Sequence, residues 1–212
     1  MKKKLDQVVY EYIVGRIEIG DLLVREHITE QYVANTLDIS RTPVRKAFTR
    51  LVDEGYLEDI ANVGVRVKQQ DITTADFQEQ LDLFERLINF YLFDLEKKEI
   101  EFAVDKLTIQ IERLKAAEAG QEIDFIKEEL IFWEEVLKHN QNSYSKKILL
   151  KTLKDSICIT GTIGEILEKS RPAIVKNLEQ LVTYLAVGNY AYARREIRIL
   201  LNQLKLNVIE MG

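Results

Sequence analysis

Proline occurs twice and glycine nine times in 212 residues, and no other feature constrains the fold as strongly. An all-β chain needs a turn every few residues, and turns draw on Gly and Pro for their backbone angles. A chain this poor in both is expected to run in long helices. Hydrophobic residues at 46% supply a core, and charged residues at 31% keep the surface solvated, so a globular protein is expected rather than a disordered one. The single cysteine, Cys158, has no internal disulfide partner, which points to a reducing cytoplasm. The basic start Met1-Lys2-Lys3-Lys4 is followed by no apolar run, because Asp6, Glu11, Arg16 and Glu18 interrupt it. Neither a signal peptide nor a membrane span is expected. With only His27 and His139, a multi-histidine metal centre or a catalytic triad is disfavoured.

Hydrophobic periodicity divides the chain near residue 70. Leu5, Val8, Val9, Tyr12 and Ile13 recur at helical spacing, and Gly15 and Gly20 are expected to close that run. A second helix is expected after the N-cap Thr29, with Val33, Ala34 and Leu37 inward, and Asp38-Ile39 turns the chain. A third is expected after the N-cap Ser40, with Pro43 in the first turn, where no intrahelical N–H bond is lost. Val44, Ala47, Phe48 and Leu51 form its inner stripe. Gly55 lies just past its end, where a left-handed residue is wanted. Residues 56–60 and 63–67 read as two short strands around Ala61-Asn62, with Gly64 close to the bend. Beyond residue 70, helices are expected over 73–97, 100–119, 123–139, 144–159, 163–169, 171–187 and 190–209. The expected fold class is mainly α. Residues 1–70 form a winged helix–turn–helix of three helices plus a β-hairpin, and residues 71–212 an all-α helical bundle.

The segment with the most chemistry runs from Ser40 to Leu51, where Arg41, Arg45, Lys46 and Arg50 stand without a carboxylate. With the apolar stripe turned to the core, Thr42, Arg45, Lys46 and Thr49 lie on the opposite face, and Arg41 projects from the first turn. Cations and hydroxyls then surround the free N–H groups of a helix N-terminus, a place phosphate favours. A helix in the major groove reads bases mainly with its N-terminal residues. There an arginine can bond guanine bidentately, and Thr42 can touch a phosphate or a thymine methyl. A basic helix face alone is usually only solvated surface. Here it follows a helix–turn and precedes a hairpin with glycine near its bend, and that combination reads as a DNA-binding module. The net charge of −5 first argues against nucleic acid. However, cations and carboxylates are equal in number over residues 1–70, so the whole acidic excess belongs to residues 71–212.

Leu37-Asp38-Ile39-Ser40-Arg41-Thr42-Pro43-Val44-Arg45-Lys46-Ala47-Phe48, followed by Leu51-Val52-Asp53-Glu54-Gly55-Tyr56, resembles the GntR family of bacterial transcription regulators. That family's pattern runs close to L-G-V-S-R-T-P-V-R-E-A-L…L…E-G. Asn62-Val63-Gly64-Val65-Arg66-Val67 resembles its wing. The resemblance covers about residues 5–68. It implies DNA contacts from Arg41, Thr42 and Arg45, with Gly64 at a wing in the minor groove. Gln31 stands where relatives often carry arginine, and Lys46 replaces a common glutamate, adding attraction for phosphate. The full expected contact set is Gln31, Ser40, Arg41, Thr42, Arg45, Lys46, Thr49, Asn62 and Gly64.

The helical remainder is similar to the effector domain of the fatty-acid-regulator-like (FadR, FCD-type) subgroup. The similarity lies in Phe132 with Asn142, and in Ala186-Val187-Gly188-Asn189 through Ala193. Many members of that subgroup hold a divalent metal with one Asp and three His. Aligned here, those positions fall on Glu129, Trp133, Leu178 and Leu200. Trp and Leu offer no donor pair, so a metal-free pocket and no cofactor are expected. The expected effector-pocket set is Arg86, as an anion anchor, with Glu129, Trp133, Leu178 and Leu200. Arg86 also reads as an ordinary solvated arginine, and Trp133 as a core aromatic.

No Gly-rich phosphate loop, H-E-x-x-H or G-x-S-x-G is present, so no enzyme is expected. The expected function is a cytoplasmic, sequence-specific transcription regulator, a repressor. It would bind a short palindromic double-stranded DNA operator as a homodimer, dimerise through the helical domain and sense a small-molecule effector there, with no membrane partner. The alternative is a helical ligand-binding or protein-interaction module whose pocket is degenerate, leaving a DNA-binding dimer that needs no ligand.

Overall fold

The computed structural model describes residues 4–18, 21–22, 26–60, 64–68, 72–120, 122–159 and 161–211. The chain separates into two compact units, Met1–Asp71 and Ile72–Gly212. The first contains, in order, α1 (Leu5–Glu18), β1 (His27–Ile28), α2 (Glu30–Leu37), α3 (Arg41–Asp53), β2 (Leu57–Ile60) and β3 (Gly64–Val67). Val9 and Ile13 of α1 are fully buried and share a core with Val44, Phe48 and Leu51 of α3. Only part of the α1 stripe turns inward, since Leu5 and Val8 are exposed. Gly15 does not end the helix, which runs on to Glu18. A helical glycine costs about 1 kcal/mol against alanine, and the burial of Val9 and Ile13 on the same helix outweighs it.

The connection from α2 to α3 sets the reading geometry. Thr29 caps α2 by accepting a hydrogen bond from the Tyr32 N–H at 3.1 Å. Asp38 takes a left-handed conformation, φ 52°, which lets the Ile39 N–H reach the Ala34 carbonyl at 3.0 Å. Only three residues, 38–40, therefore separate α2 from α3. Gly55, φ 79°, closes α3, and the Tyr56 N–H bonds back to the Leu51 carbonyl at 2.9 Å. The chain then enters an antiparallel sheet of order β1-β3-β2, with Leu57 opposite Val67, Ile60 opposite Gly64 and Ile28 opposite Val65. Leu57, Val65 and Val67 point into the core. The hairpin follows the expected pattern, whereas β1 is too short for any alternation to announce it.

The second unit is all helical: α4 (Thr74–Lys97), α5 (Asp105–Ala117), α6 (Glu122–Val136), α7 (Ser143–Ile157), α8 (Gly161–Lys169), α9 (Arg171–Ala186) and α10 (Tyr190–Met211). A tight 3-10 turn, Leu137–His139, extends α6. α4 opens with a capping box. The Asp76 N–H donates to Thr73 Oγ1 at 3.1 Å, and the Thr73 N–H donates to Asp76 Oδ2 at 2.8 Å. Phe77, Phe84, Ile88 and Leu92 form its buried face. α4 packs on α7 and α10, α5 on α6 and α9, and α9 on α10. Ion pairs Arg194–Glu96 at 2.7 Å and Arg198–Glu85 at 3.0 Å link α10 to α4. Trp133 is buried edge-on against Phe84 and Phe132, with ring centroids 5.2 and 5.6 Å away.

α5 begins at Asp105 rather than near residue 100. Glu99 in a left-handed conformation, φ 52°, ends the preceding turn. Phe102 is buried, and the Tyr190 hydroxyl donates to the Ile100 carbonyl, so tertiary contacts keep this segment out of a helix. Among the described residues, no helix is long and apolar enough to cross a membrane.

Candidate nucleic-acid interface and helical cavity

Burial of Val44, Ala47, Phe48 and Leu51 leaves the opposite face of α3 to solvent. Arg41 opens α3 and Arg45 follows one turn later on that face. Both guanidinium groups converge on Glu30, the first residue of α2. Arg41 Nε and Nη2 donate to Glu30 Oε2 at 3.1 and 2.8 Å. Arg45 Nε donates to Oε1 at 2.8 Å, and its Nη2 to Oε2 at 3.0 Å. One carboxylate thus sets the planes of two guanidinium forks. The hydrogen bonds from Arg45, then Arg41, overcome partial burial and hold the Glu30 carboxyl down at about 2. The same pairing raises Arg45. Both arginines stay accessible, with side chains 56% and 67% exposed.

These groups border a groove of about 580 Å³. Thr29, Glu30 and Gln31 approach it from the start of α2, Arg41, Arg45 and Thr49 from α3, and Gly64 and Val65 from β3. Five of the expected DNA contacts, Gln31, Arg41, Arg45, Thr49 and Gly64, therefore surround one concavity. Ser40, Thr42 and Lys46 are exposed around the first turns of α3 but do not line it. Asn62 lies outside the described residues. Ser40 occupies the N-cap position yet makes no capping hydrogen bond, so it leaves the first-turn N–H groups of α3 to other acceptors. Gly64 has φ 121°, and a Cβ there would lie 3.2 Å from the Ile28 carbonyl oxygen. Arg50, the fourth cation of the basic segment, serves a different purpose. It bonds Glu54 at 2.8 Å and Gln7 at 2.9 Å, and covers the Tyr10 ring, tying α3 to α1.

Glu30 is the residue that sequence reasoning missed. Its signal was a carboxylate directly after the N-cap of α2, where the helix dipole favours negative charge. Pairing it with Arg41 and Arg45 requires knowing that the first turns of α2 and α3 face each other.

In the helical unit, Glu129, Trp133 and Leu200 line one cavity of about 40 Å³. Leu178 is buried but does not line it, and Arg86 is exposed. Arg86 sits two residues from both Phe84 and Ile88, which face inward, and about 200° of rotation carries it to the outside. Glu129 is buried, and desolvation pushes its carboxyl up to about 7, although Trp133 and the Arg171 charge pull the other way. Arg171, not singled out in the sequence, is 4% exposed and lines the same cavity. A metal does not fit this set. Glu129 brings a carboxylate, but Trp133, Leu178 and Leu200 carry no donor atom for a cation. Among the described residues, no three His, Cys, Asp or Glu side chains gather where an ion could be held.

Residues 5–67 match the family model described as "Bacterial regulatory proteins, gntR family". A 61-residue stretch is 41% identical to the "Probable D-xylose utilization operon transcriptional repressor" of Paenarthrobacter nicotinovorans, covering 29% of this chain and 27% of that relative. Two solved structures share the architecture end to end. One is Lar, described as controlling expression of the Listeria monocytogenes agr system, at TM-score 0.62 and 19% identity, with 100% of both chains covered. The other is McbR/YncC of Escherichia coli, at TM-score 0.56 and 16% identity, with 99% of both chains covered. At these identities the two structures establish likeness of fold. The N-terminal unit of this chain has the winged helix–turn–helix arrangement, and the stretch that builds it is similar to the gntR family of bacterial regulatory proteins.

Proposed function

We propose that this protein is a cytoplasmic transcription regulator, a repressor, that binds a short palindromic DNA operator as a homodimer. Its helical unit, residues 71–212, dimerises and senses a small metabolite without a bound metal. The observation that carries the reading is the Glu30-bound pair Arg41 and Arg45 at the exposed N-terminus of α3, beside the groove that Gly64 closes. Oriented guanidinium forks at that position suit guanine edges in the major groove. Ser40, Thr42, Lys46 and the uncapped N–H groups of α3 suit phosphate. One helix reads too few bases alone, which favours two copies on a palindrome. Exposed Leu83, Phe90 and Phe93 on the outer side of α4 offer apolar surface for self-association.

The test is selection from sheared genomic DNA by the purified chain. A small, reproducible set of fragments sharing an inverted repeat is expected. Retention of no fragment at about 50 mM salt, where phosphate contacts are strong, would overturn the reading.

A further inference from the structure

We propose that Gln31 and Asn35 of α2 make the operator carry an adenine in each half-site, Gln31 reading the base and Asn35 holding the Gln31 amide in position. The inference rests on the DNA-binding reading above. The two residues stand one helical turn apart and are both exposed. Gln31 Nε2 donates to Asn35 Oδ1 at 2.7 Å. Gln31 also lines the groove bordered by Arg41, Arg45 and Gly64, whereas Asn35 does not. Asn35 therefore holds the amide from outside the groove. Other polar groups of the groove are already engaged. Both Glu30 oxygens accept from Arg41 and Arg45, and the Thr49 hydroxyl donates to the Arg45 carbonyl at 3.1 Å.

A carboxamide carries two N–H donors on nitrogen and an acceptor oxygen. The bond to Asn35 uses one N–H and so fixes which end of the Gln31 amide is which. The second N–H and Oε1 then stand side by side as one donor and one acceptor. A phosphate offers acceptors only, and Oε1 would oppose it. In the major groove, guanine presents two acceptors, cytosine a donor, and thymine an acceptor beside a methyl. Adenine presents the N7 acceptor beside the N6 donor, and that edge matches both halves of the amide. The guanidinium groups of Arg41 and Arg45 carry donors only, so they suit guanine and leave adenine to Gln31. An amide pair four residues apart also steadies a solvated helix. That purpose alone does not call for Gln31 to line the groove beside two oriented guanidinium forks.

The experiment uses the full chain and an operator selected from genomic DNA, with competing duplexes in which single adenines are replaced by 7-deazaadenine. That base keeps its pairing but lacks the N7 acceptor. One position in each half-site is expected at which the wild type binds about 10-fold more weakly after replacement, while Gln31→Ala loses nothing further. Gln31→Arg, which carries donors only, should move the preference at that position from A·T to G·C. Asn35→Leu should erase the adenine preference while discrimination at guanine positions survives. Asn35→Asp keeps an acceptor for Gln31 Nε2 and should restore the preference, at lower overall affinity because of its charge. Three results would each overturn the inference: no adenine at which 7-deazaadenine weakens the wild type, an equal loss in Gln31→Ala, or full adenine preference in Asn35→Leu. Operator binding with any of these outcomes overturns the adenine reading alone. Retention of no DNA by the wild type overturns the DNA-binding reading and this inference with it.

Discussion

Two buried or half-buried carboxylates work in opposite directions in this chain. Glu30 gains partners on folding and is held down at about 2. Its contribution to stability is present above the ordinary glutamate value of 4.5 and is lost as pH falls toward 2. Replacing Glu30 with Gln should free Arg41 and Arg45 and remove one negative charge from the groove. Non-specific DNA binding should then rise while the ratio of operator to scrambled-duplex affinity falls, as competition between labelled duplexes would show. Glu129 loses solvent on folding and is pushed up to about 7. Folding therefore takes up a proton. That stability is fully present below about pH 4.5 and lost as pH rises through about 7, on the order of 3 kcal/mol in all. His139, lowered by burial, acts in the opposite sense just below its ordinary 6.5. The diagnostic is thus the difference in urea stability between wild type and Glu129→Gln, which should grow in favour of the variant from pH 5 to pH 8. A difference independent of pH would contradict the burial assigned to Glu129.

At the scale of elements, what could be read from the sequence follows from how local each determinant is. The α3 stripe and its Gly55 stop are local, and α3 was readable from Ser40 onward. The helices of the second unit also lie close to their expected spans. The extended segment ahead of α5 was not readable, because Phe102 burial and the Tyr190 hydrogen bond come from distant parts of the chain. β1 was missed because its only support is pairing with β3. The same division holds for the sites. Gln31, Arg41, Arg45, Thr49 and Gly64 carry signals in their own segments and share one groove. Glu30 and Arg171 gain their meaning only from partners on other helices. Gly64 shows how an element depends on a single residue. Gly64→Val combines a strained φ with a close contact to the Ile28 carbonyl, and should destabilise the N-terminal unit by about 1–3 kcal/mol. Thermal unfolding followed by circular dichroism would check it, and an unchanged midpoint would contradict the geometry at the start of β3.

For the whole molecule, the acidic net charge and the DNA-reading proposal are reconciled by segregation. The excess of carboxylates lies in the helical unit, while the first unit is balanced and carries four of its eleven cations on α3. Non-specific affinity should therefore be modest, and recognition should depend on a few oriented groups rather than on a basic surface. The most direct measurement compares wild type and Arg45→Ala on a selected operator over a salt series. The account predicts wild-type affinity falling steeply with salt, a loss of about 5- to 150-fold in the variant, and only a small drop in melting temperature, since Arg41 still holds Glu30. Equal operator binding by the two proteins would contradict the assignment of the α3 face to DNA.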